Sequence, residues 1–265
     1  MNTPAPSGRW QDLATTDFGT LDPLRTIALL PVSATEQHGP HLPLSTDAVI
    51  NRGFVDALLA DPPASARVLV LPAIEVGDSL EHTAFAGTLG GDLQSLLGLW
   101  LSIGRSVARA GVRKLVLFNS HGGQRGLVDQ VALRLRVDCA MTVVRAHSYG
   151  LGMPPGLFDV DELAHGLHGG AVETSLMLHL RPDLVRLDRL ADFPSAGRAM
   201  AARGGVLGIE KPIGLGWMAQ DLHPAGVCGN AADGSAVKGE ALLRHGTARL
   251  KAMLEELAAL PLLAV

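Results

Sequence analysis

The chain has 265 residues, 47% of them hydrophobic and 18% charged, and a formal net charge of -4 at pH 7. This length and apolar content predict one domain with a large core, spanning residues 1–265. The charge lacks the basic excess of nucleic-acid-binding proteins, and no apolar run approaches the roughly 20 residues of a membrane span. The first ten residues lack the features of a secretory signal, and only two cysteines are present. We therefore expect a cytoplasmic protein without disulfides.

Predicted strands and helices alternate along the chain. The predicted strands are Thr26–Ser33, Val68–Val76, Lys114–Asn119 and Met141–Ala146. The predicted helices are Asp47–Ala60, Asp92–Ala110, Gln124–Val137, Ala171–Leu180 and Lys238–Ala258. Asp47 and Asp92 are candidate N-caps, and Gly111 is a candidate C-cap. Near-continuous apolar strands between helices predict a mainly parallel sheet covered on both faces, a three-layer α/β/α sandwich. Residues 185–232 are rich in Gly and Pro, and we expect loops that wrap the site or a neighbouring subunit.

Polar side chains follow the predicted strands, where open α/β sheets bind their ligands. Glu36 and His38 follow the first strand, Asp47 begins the next helix, and His121 follows the third strand. Each of them alone would more simply be a helix cap or a hydrogen-bonded histidine. Together, carboxylates and imidazoles at neighbouring strand ends favour a site for Zn²⁺, Mn²⁺ or Fe²⁺. Two metals bridged by one carboxylate would activate water and polarise an amide carbonyl.

Other residues at the same edge are candidates for substrate contact. Glu81 and His82 follow the second strand and either line the pocket or form an ordinary solvated pair. Gly122 and Gly123 would let bare backbone approach a ligand closely. A GxGxxG loop, a GxxxxGK[ST] loop and a Gly-x-Ser-x-Gly elbow are all missing from the sequence. Nucleotide-binding and serine-hydrolase functions are therefore disfavoured.

Three motifs resemble those of the creatininase, or creatinine amidohydrolase, family. They are TEQHGPHLPLSTD (residues 35–47), NSHGG (119–123) and HGGAVETS (168–175). The resemblance implies a three-layer α/β/α fold, a centre of two divalent metals and a cyclic homo-oligomer, often a hexamer. By motif position, Glu36 and His121 are similar to the ligands of one metal and His38 to a ligand of the other. Asp47 is similar to the residue that bridges them.

The resemblance also bears on the catalytic groups. Creatininase proper has a metal-binding Glu at the position of Gly123 and another Glu at Leu167. The resemblance to the wider family implies Glu173 as a replacement ligand, with an ordinary carboxylate near a helix start as the alternative. His168 matches a histidine proposed for proton transfer, with a buried histidine bonded to a backbone carbonyl as the alternative. Ser79 matches a position that contacts substrate.

We therefore expect a metal-dependent amidohydrolase with His168 and Glu173 as catalytic residues. Its substrate would be a small cyclic amide, a formamide or a short peptide end, cleaved at a C–N bond by metal-activated water. Two other hypotheses stay open. One is a metal-dependent hydrolase or isomerase of a sugar-derived ring, which would release acid without an amine. The other is a non-catalytic binding homologue.

Overall fold

A computed structural model of the chain describes residues 6–210 and 213–263. The expected domain of residues 1–265 therefore extends in part outside the described residues. The same holds for the first ten residues, where a secretory signal would lie. Five strands form one sheet: β1 (Gly8–Arg9), β2 (Thr26–Val32), β3 (Arg67–Val70), β4 (Lys114–Asn119) and β5 (Thr142–His147). Their order is β1-β3-β2-β4-β5, and every neighbouring pair is parallel. The predicted parallel sheet is confirmed.

Helices connect and cover these strands. The helices are α1 (Thr46–Ala60), α2 (Leu93–Arg109), α3 (Arg125–Cys139), α4 (Val160–His165), α5 (Ala171–Leu180), α6 (Ala196–Ala201), α7 (Ala219–Leu222) and α8 (Ala236–Ala259). A small antiparallel pair joins β6 (Asp192–Phe193) to β7 (Gly229–Asn230). Among the described residues, no helix is both long and apolar enough to span a bilayer.

The apolar core lies on both faces of the sheet. Because side chains alternate along a strand, Ile27 and Leu29 of β2 pack against α1, α5 and α8. Ala28 and Leu30 point to the opposite face and pack against α2 and α3. Both faces of β2 are therefore buried, which explains its continuous run of apolar residues. The resulting arrangement is the predicted three-layer α/β/α sandwich.

Some predicted boundaries were wrong. The second strand ends at Val70, because Pro72 cannot donate a backbone hydrogen bond to a neighbouring strand. Asp92 caps α2 through the N–H groups of Gln94 and Ser95, as predicted. Asp47 is not an N-cap: Ser45 takes that position, and the Asp47 side chain is buried among the residues described next. The described part of residues 185–232, predicted as loops, includes α6, α7 and the β6–β7 pair.

Candidate metal centre

The sheet topology brings the four predicted metal-binding residues together. Strands β2 and β4 are neighbours, so the loops after their carboxyl ends place Glu36, His38 and His121 at one edge. Asp47 reaches the same edge from the first turn of α1. All four side chains are buried, with at most 2% of each residue exposed. Glu173, in the first turn of α5, lies beside them and is half-buried.

The distances between possible metal-binding atoms are close to those of a coordination shell. His121 Nδ1 lies 3.1 Å from Glu36 Oε1 and 3.5 Å from Asp47 Oδ2. His38 Nε2 lies 3.5 Å from Asp47 Oδ1 and 3.9 Å from Glu173 Oε1. Metal bonds of 2.0–2.2 Å in a tetrahedron place neighbouring donors about 3.3–3.6 Å apart. The described residues form three donor groups, of which Glu36–Asp47–His121 and His38–Asp47–Glu173 fit two metal positions that share Asp47. The third group joins Glu36, His38 and His168.

The far side of each imidazole ring is held by the backbone. His38 Nδ1 lies 3.0 Å from the Glu36 carbonyl, and His121 Nε2 lies 2.8 Å from the Asp78 carbonyl. A carbonyl only accepts, so each of these nitrogens carries a proton and donates it. When the rings are neutral, their lone pairs are on His38 Nε2 and His121 Nδ1, which face the cluster.

Several atoms in the cluster lack protein partners. Among the described residues, both carboxylate oxygens of Glu36, His38 Nε2 and Asp47 Oδ2 are buried without a hydrogen bond. Each such group costs free energy unless something satisfies it. Divalent cations would satisfy all of them at once, and carboxylates with imidazoles are the ligands that Zn²⁺ and Mn²⁺ accept. The donor set therefore fits the metals that the motifs implied.

Without metal, protons balance the buried carboxylates. Burial opposes the charged form of His121, but Glu36 and Asp47 raise its pKa to about 10. Burial likewise opposes charge on His38, whose pKa Asp47 nevertheless raises to about 9. Burial raises the pKa of Asp47 to about 6. For Glu36 burial acts upward, yet the neighbouring histidines, His121 first, hold its pKa well below the usual range. Protons thus occupy the ring nitrogens that a metal would take.

His168 lies against the same cluster. Its Nε2 donates to the carbonyl of Gln37 at 2.7 Å, and its Nδ1 lies 4.0 Å from Glu36 Oε1. Burial, and then the positive charge of His38, lower the pKa of His168 to about 4. The ring is therefore neutral at pH 7 with a lone pair directed toward the cluster. One ring nitrogen of His168 is thus bonded to a backbone carbonyl, and the other is available to accept a proton. The two roles given as alternatives from the sequence are compatible.

A cavity of about 1000 Å³ opens over these residues. Glu81, His82, Gly122 and Gly123, the candidates for substrate contact, line it. Ser79 is fully buried and is not among the lining residues that the structure describes. Apolar side chains form much of the remaining wall, including those of Phe54, Met153, Leu176, Trp217 and Leu242.

Glu81 occupies space that Gly123 leaves open. A Cβ atom at position 123 would overlap Glu81 Oε1 and would lie 2.7 Å from His121 Nε2. The Glu81 carboxylate lies 3.8 Å from His121 Nε2, and burial raises its pKa. The Glu81 carboxylate can therefore occupy its position only because residue 123 has no side chain.

Several residues that hold the ligands in place or line the cavity carry little metal-binding signal in the sequence. Asn119 accepts from the N–H of His121 at 3.0 Å and donates to its carbonyl at 2.6 Å, which holds the backbone of this ligand. The buried Gln37 was missed because an amide between two ligands shows no metal-binding chemistry of its own. Arg125 and Glu210, which pair at 2.8 Å on the cavity wall, were also missed. Glu210 lies in a segment without periodicity, which gave no signal.

Comparisons with known proteins identify the family of the chain. The family profile described as Creatininase, creatinine amidohydrolase, matches residues 11–254. The mycofactocin precursor peptide peptidase of Mycobacterium tuberculosis (strain H37Rv) is 35% identical over 199 residues, covering 71% of this chain and 73% of the relative. The creatinine amidohydrolase of Pseudomonas putida is 33% identical over 186 residues, covering 64% of this chain and 70% of the relative.

Solved creatininase structures share the fold. A mutant creatininase complexed with creatine is 26% identical, with a TM-score of 0.71 and coverage of 94% of this chain and 98% of the other. A mutant creatininase of the Zn-Zn type is 25% identical, with a TM-score of 0.70 and coverage of 95% and 98%. Homologues in this family are metal-dependent hydrolases of non-standard amide or peptide bonds. On its motifs, fold and extended sequence match, the chain belongs to the creatininase family.

Proposed function

We propose that this chain is a metal-dependent amidohydrolase that cleaves an amide bond at the end of a short peptide. The observation that carries the proposal is the pair of donor groups that share Asp47 at the floor of a cavity of about 1000 Å³. That volume is at the upper end of small-molecule pockets. It would leave most of the space around a single small ring unfilled. A cytoplasmic location and a homo-oligomer, often a hexamer in this family, are also part of the proposal.

The ligand assignment follows the two donor groups. Glu36, Asp47 and His121 would hold one divalent ion, and His38, Asp47 and Glu173 the other. Zn²⁺ or Mn²⁺ suits these ligands, and Fe²⁺ also fits; a structural relative of the Zn-Zn type supports zinc. When bound, such metals supply an activated water and polarise the amide carbonyl. Glu173 takes the place of the ligand that Gly123 lacks, on the His38 side of the centre.

His168 is the proposed proton carrier. It is neutral at pH 7, and its Nδ1 faces the cluster while Nε2 is held by the Gln37 carbonyl. The Nδ1 atom would accept a proton from the attacking water and then give it to the departing amine. The hydrogen bond to Gln37 fixes the ring orientation during both transfers.

The cavity wall supports a peptide end as substrate. Phe54, Leu176 and Trp217 offer an apolar surface that would accept a bulky side chain. The relative that is 35% identical is named for cleaving a precursor peptide. Resemblance to creatininase proper would require carboxylates at the positions of Gly123 and Leu167, which this chain lacks. These features favour a peptide amide over creatinine.

A product screen tests the proposal. Metal-replete enzyme is incubated with short peptides that carry apolar residues at either end, and in parallel with creatinine and simple formamides. Mass spectrometry of the products should show loss of a terminal residue or dipeptide, abolished in Asp47→Ala. Hydrolysis of creatinine or formamides alone would contradict the peptide assignment. Release of acid without amine would favour a sugar-derived ring, and an intact metal centre without turnover would favour a binding protein.

A further inference from the structure

Two histidines flank the same carboxylate oxygen at nearly the same distance. His121 Nδ1 lies 3.1 Å from Glu36 Oε1, and His82 Nε2 lies 3.3 Å from it. Both rings are buried, with 2% of each residue exposed. Distance and burial alone would therefore give them one role. The group bonded to the far nitrogen of each ring distinguishes them, because it decides where the ring carries its proton.

A hydrogen-bond acceptor lies behind His121. Its Nε2 contacts the backbone carbonyl of Asp78 at 2.8 Å, so this nitrogen must donate. In the neutral ring the lone pair is then on Nδ1, the nitrogen that faces Glu36 and Asp47. This is the tautomer that binds a metal.

A hydrogen-bond donor lies behind His82. Its Nδ1 is 2.8 Å from the side-chain nitrogen of Gln37, whose orientation is fixed at both ends. Gln37 Oε1 accepts from the N–H of Gly39 at 3.0 Å, and Gln37 Nε2 donates to the carbonyl of Gly226 at 2.5 Å. Gln37 therefore presents an N–H to His82 Nδ1, which accepts it. The proton of the neutral His82 ring is on Nε2, the nitrogen that faces Glu36.

The contacts of His82 favour a ring with one proton. The ring is stacked on that of His168, with centroids 4.3 Å apart. Because Nδ1 accepts an N–H from Gln37, a second ring proton on Nδ1 would face a donor. A neutral ring with its proton on Nε2 has no lone pair there to offer a metal.

We propose that His82 is a positioning residue that donates its Nε2–H to Glu36, and that it is not a third histidine ligand. Among the described residues, Glu36 Oε1 has no hydrogen-bond partner and is buried, so a donor 3.3 Å away meets a real need. Gln37 sets the tautomer of His82 from behind. Hydrogen bonds of this kind fix a ligand's orientation and raise metal affinity. The inference rests on the metal centre proposed above.

Zinc and cobalt binding to wild type, His82→Phe and His82→Gln test the role. His82→Phe keeps an aromatic ring but removes the N–H, and we expect its Zn²⁺ affinity to fall about 10–100-fold. His82→Gln offers an amide N–H near the former Nε2 position, and we expect its affinity to stay close to wild type. The visible spectrum of bound Co²⁺ should keep its shape in all three proteins, because no ligand is lost. Circular dichroism and thermal unfolding establish that each variant is folded.

A second pair of variants tests the part played by Gln37. Gln37→Met removes the donor to His82 Nδ1, and we expect it to weaken Zn²⁺ binding in the wild-type background but not in His82→Phe. Equal weakening in His82→Phe and His82→Gln, with a changed Co²⁺ spectrum, would show that His82 is a ligand and overturn the proposal. Unchanged affinity in His82→Phe would overturn it while leaving the metal centre intact. A wild-type protein that binds no metal would overturn both.

Discussion

Protons and metals compete for the same atoms in the cluster around Asp47. In the metal-free protein, His121 and His38 have pKa values raised to about 10 and about 9, because buried carboxylates stabilise their charged forms against the cost of burial. Both rings therefore carry an extra proton at pH 7. A metal can bind His121 Nδ1 and His38 Nε2 only after these protons leave.

We predict that metal binding at pH 7 releases about two protons per chain, one from each ring. Because both pKa values are raised, the protons are held below pH 9 and lost above it, so apparent affinity should rise as pH increases from 7 toward 9. Zn²⁺ titration calorimetry in buffers of different ionisation enthalpy measures the release. Binding without proton release, or affinity that falls over this pH range, would contradict the assignment of these rings as ligands.

We predict that the Glu81 side chain can keep its position only with a glycine at position 123. Gly123→Ala would drive the Glu81 carboxylate off the cavity wall and press on the ring of His121. A misplacement of about 1 Å near the reacting groups can reduce turnover on the order of 100-fold, and we expect kcat/KM for the peptide substrate to fall by up to that factor. Gly122→Ala is the matched control, since a Cβ there meets no atom within 4 Å. Steady-state kinetics compares the two.

A double variant isolates the contact. If the effect arises through Glu81, adding Gly123→Ala to Glu81→Ala should cost much less than it does in the wild type. Equal losses in both backgrounds would show that Gly123 acts through the His121 ring instead. Equal losses in Gly122→Ala and Gly123→Ala would show that steric contact with Glu81 is irrelevant.

The candidate metal-binding residues could be predicted from the sequence more fully than the residues that support them. Glu36, His38 and His121 were predictable because residues directly after parallel strands meet at one edge. Their supports were not, because these depend on distant contacts. The Gln37 amide, for example, is oriented in part by Gly226, 189 positions along the chain.

At the scale of elements, a buried lysine joins β4 to the end of α8. Lys114 begins β4 and is fully buried. Its Nζ lies within hydrogen-bond distance of the carbonyls of Leu257 and Ala258 in the last turn of α8, and of those of Leu24 and Leu260, which share its three N–H donors. The last carbonyls of a helix have no partners within it. Lys114 donates to these carbonyls and so holds the end of α8 against the sheet.

Lys114→Met is predicted to lower the free energy of unfolding by about 2–4 kcal/mol, because it leaves buried carbonyls without a donor. Urea unfolding of the metal-free protein measures the loss. Lys251→Met is the control: its partner Asp61 has 83% of its side chain exposed, so the change should stay within about 1 kcal/mol. Equal losses in the two variants would contradict a capping role for Lys114.

Element types were predictable from the sequence, and some boundaries were not. The strand Lys114–Asn119 and the helix Ala171–Leu180 match their predicted bounds, since each is a distinct apolar run. β1 was missed because it has only two residues, too few to show a pattern. Short elements such as α6 depend on contacts with the rest of the molecule, which local propensity does not reveal.

For the whole molecule, sheet order connects the fold to the site. β2 lies between β3 and β4, so the loops carrying His82, Glu36 and His121 all emerge at one edge. The cavity above them is completed by residues far along the chain, among them Glu210 and Trp217. Layer architecture follows from the pattern of apolar strands and helices. The cavity volume and its apolar wall do not, because they depend on how a segment without periodicity folds back over the sheet.

The proposed function depends on a centre of two metals that share Asp47. Mass spectrometric metal analysis of protein purified without added metal or a histidine tag tests for this centre in wild type and Asp47→Ala. We expect about two equivalents per chain in the wild type and loss of both in the variant, because Asp47 belongs to both proposed metal positions. Circular dichroism would establish that the variant is folded. A wild type that holds no metal after reconstitution with zinc and manganese, or a variant that keeps both equivalents, would contradict a two-metal centre shared through Asp47.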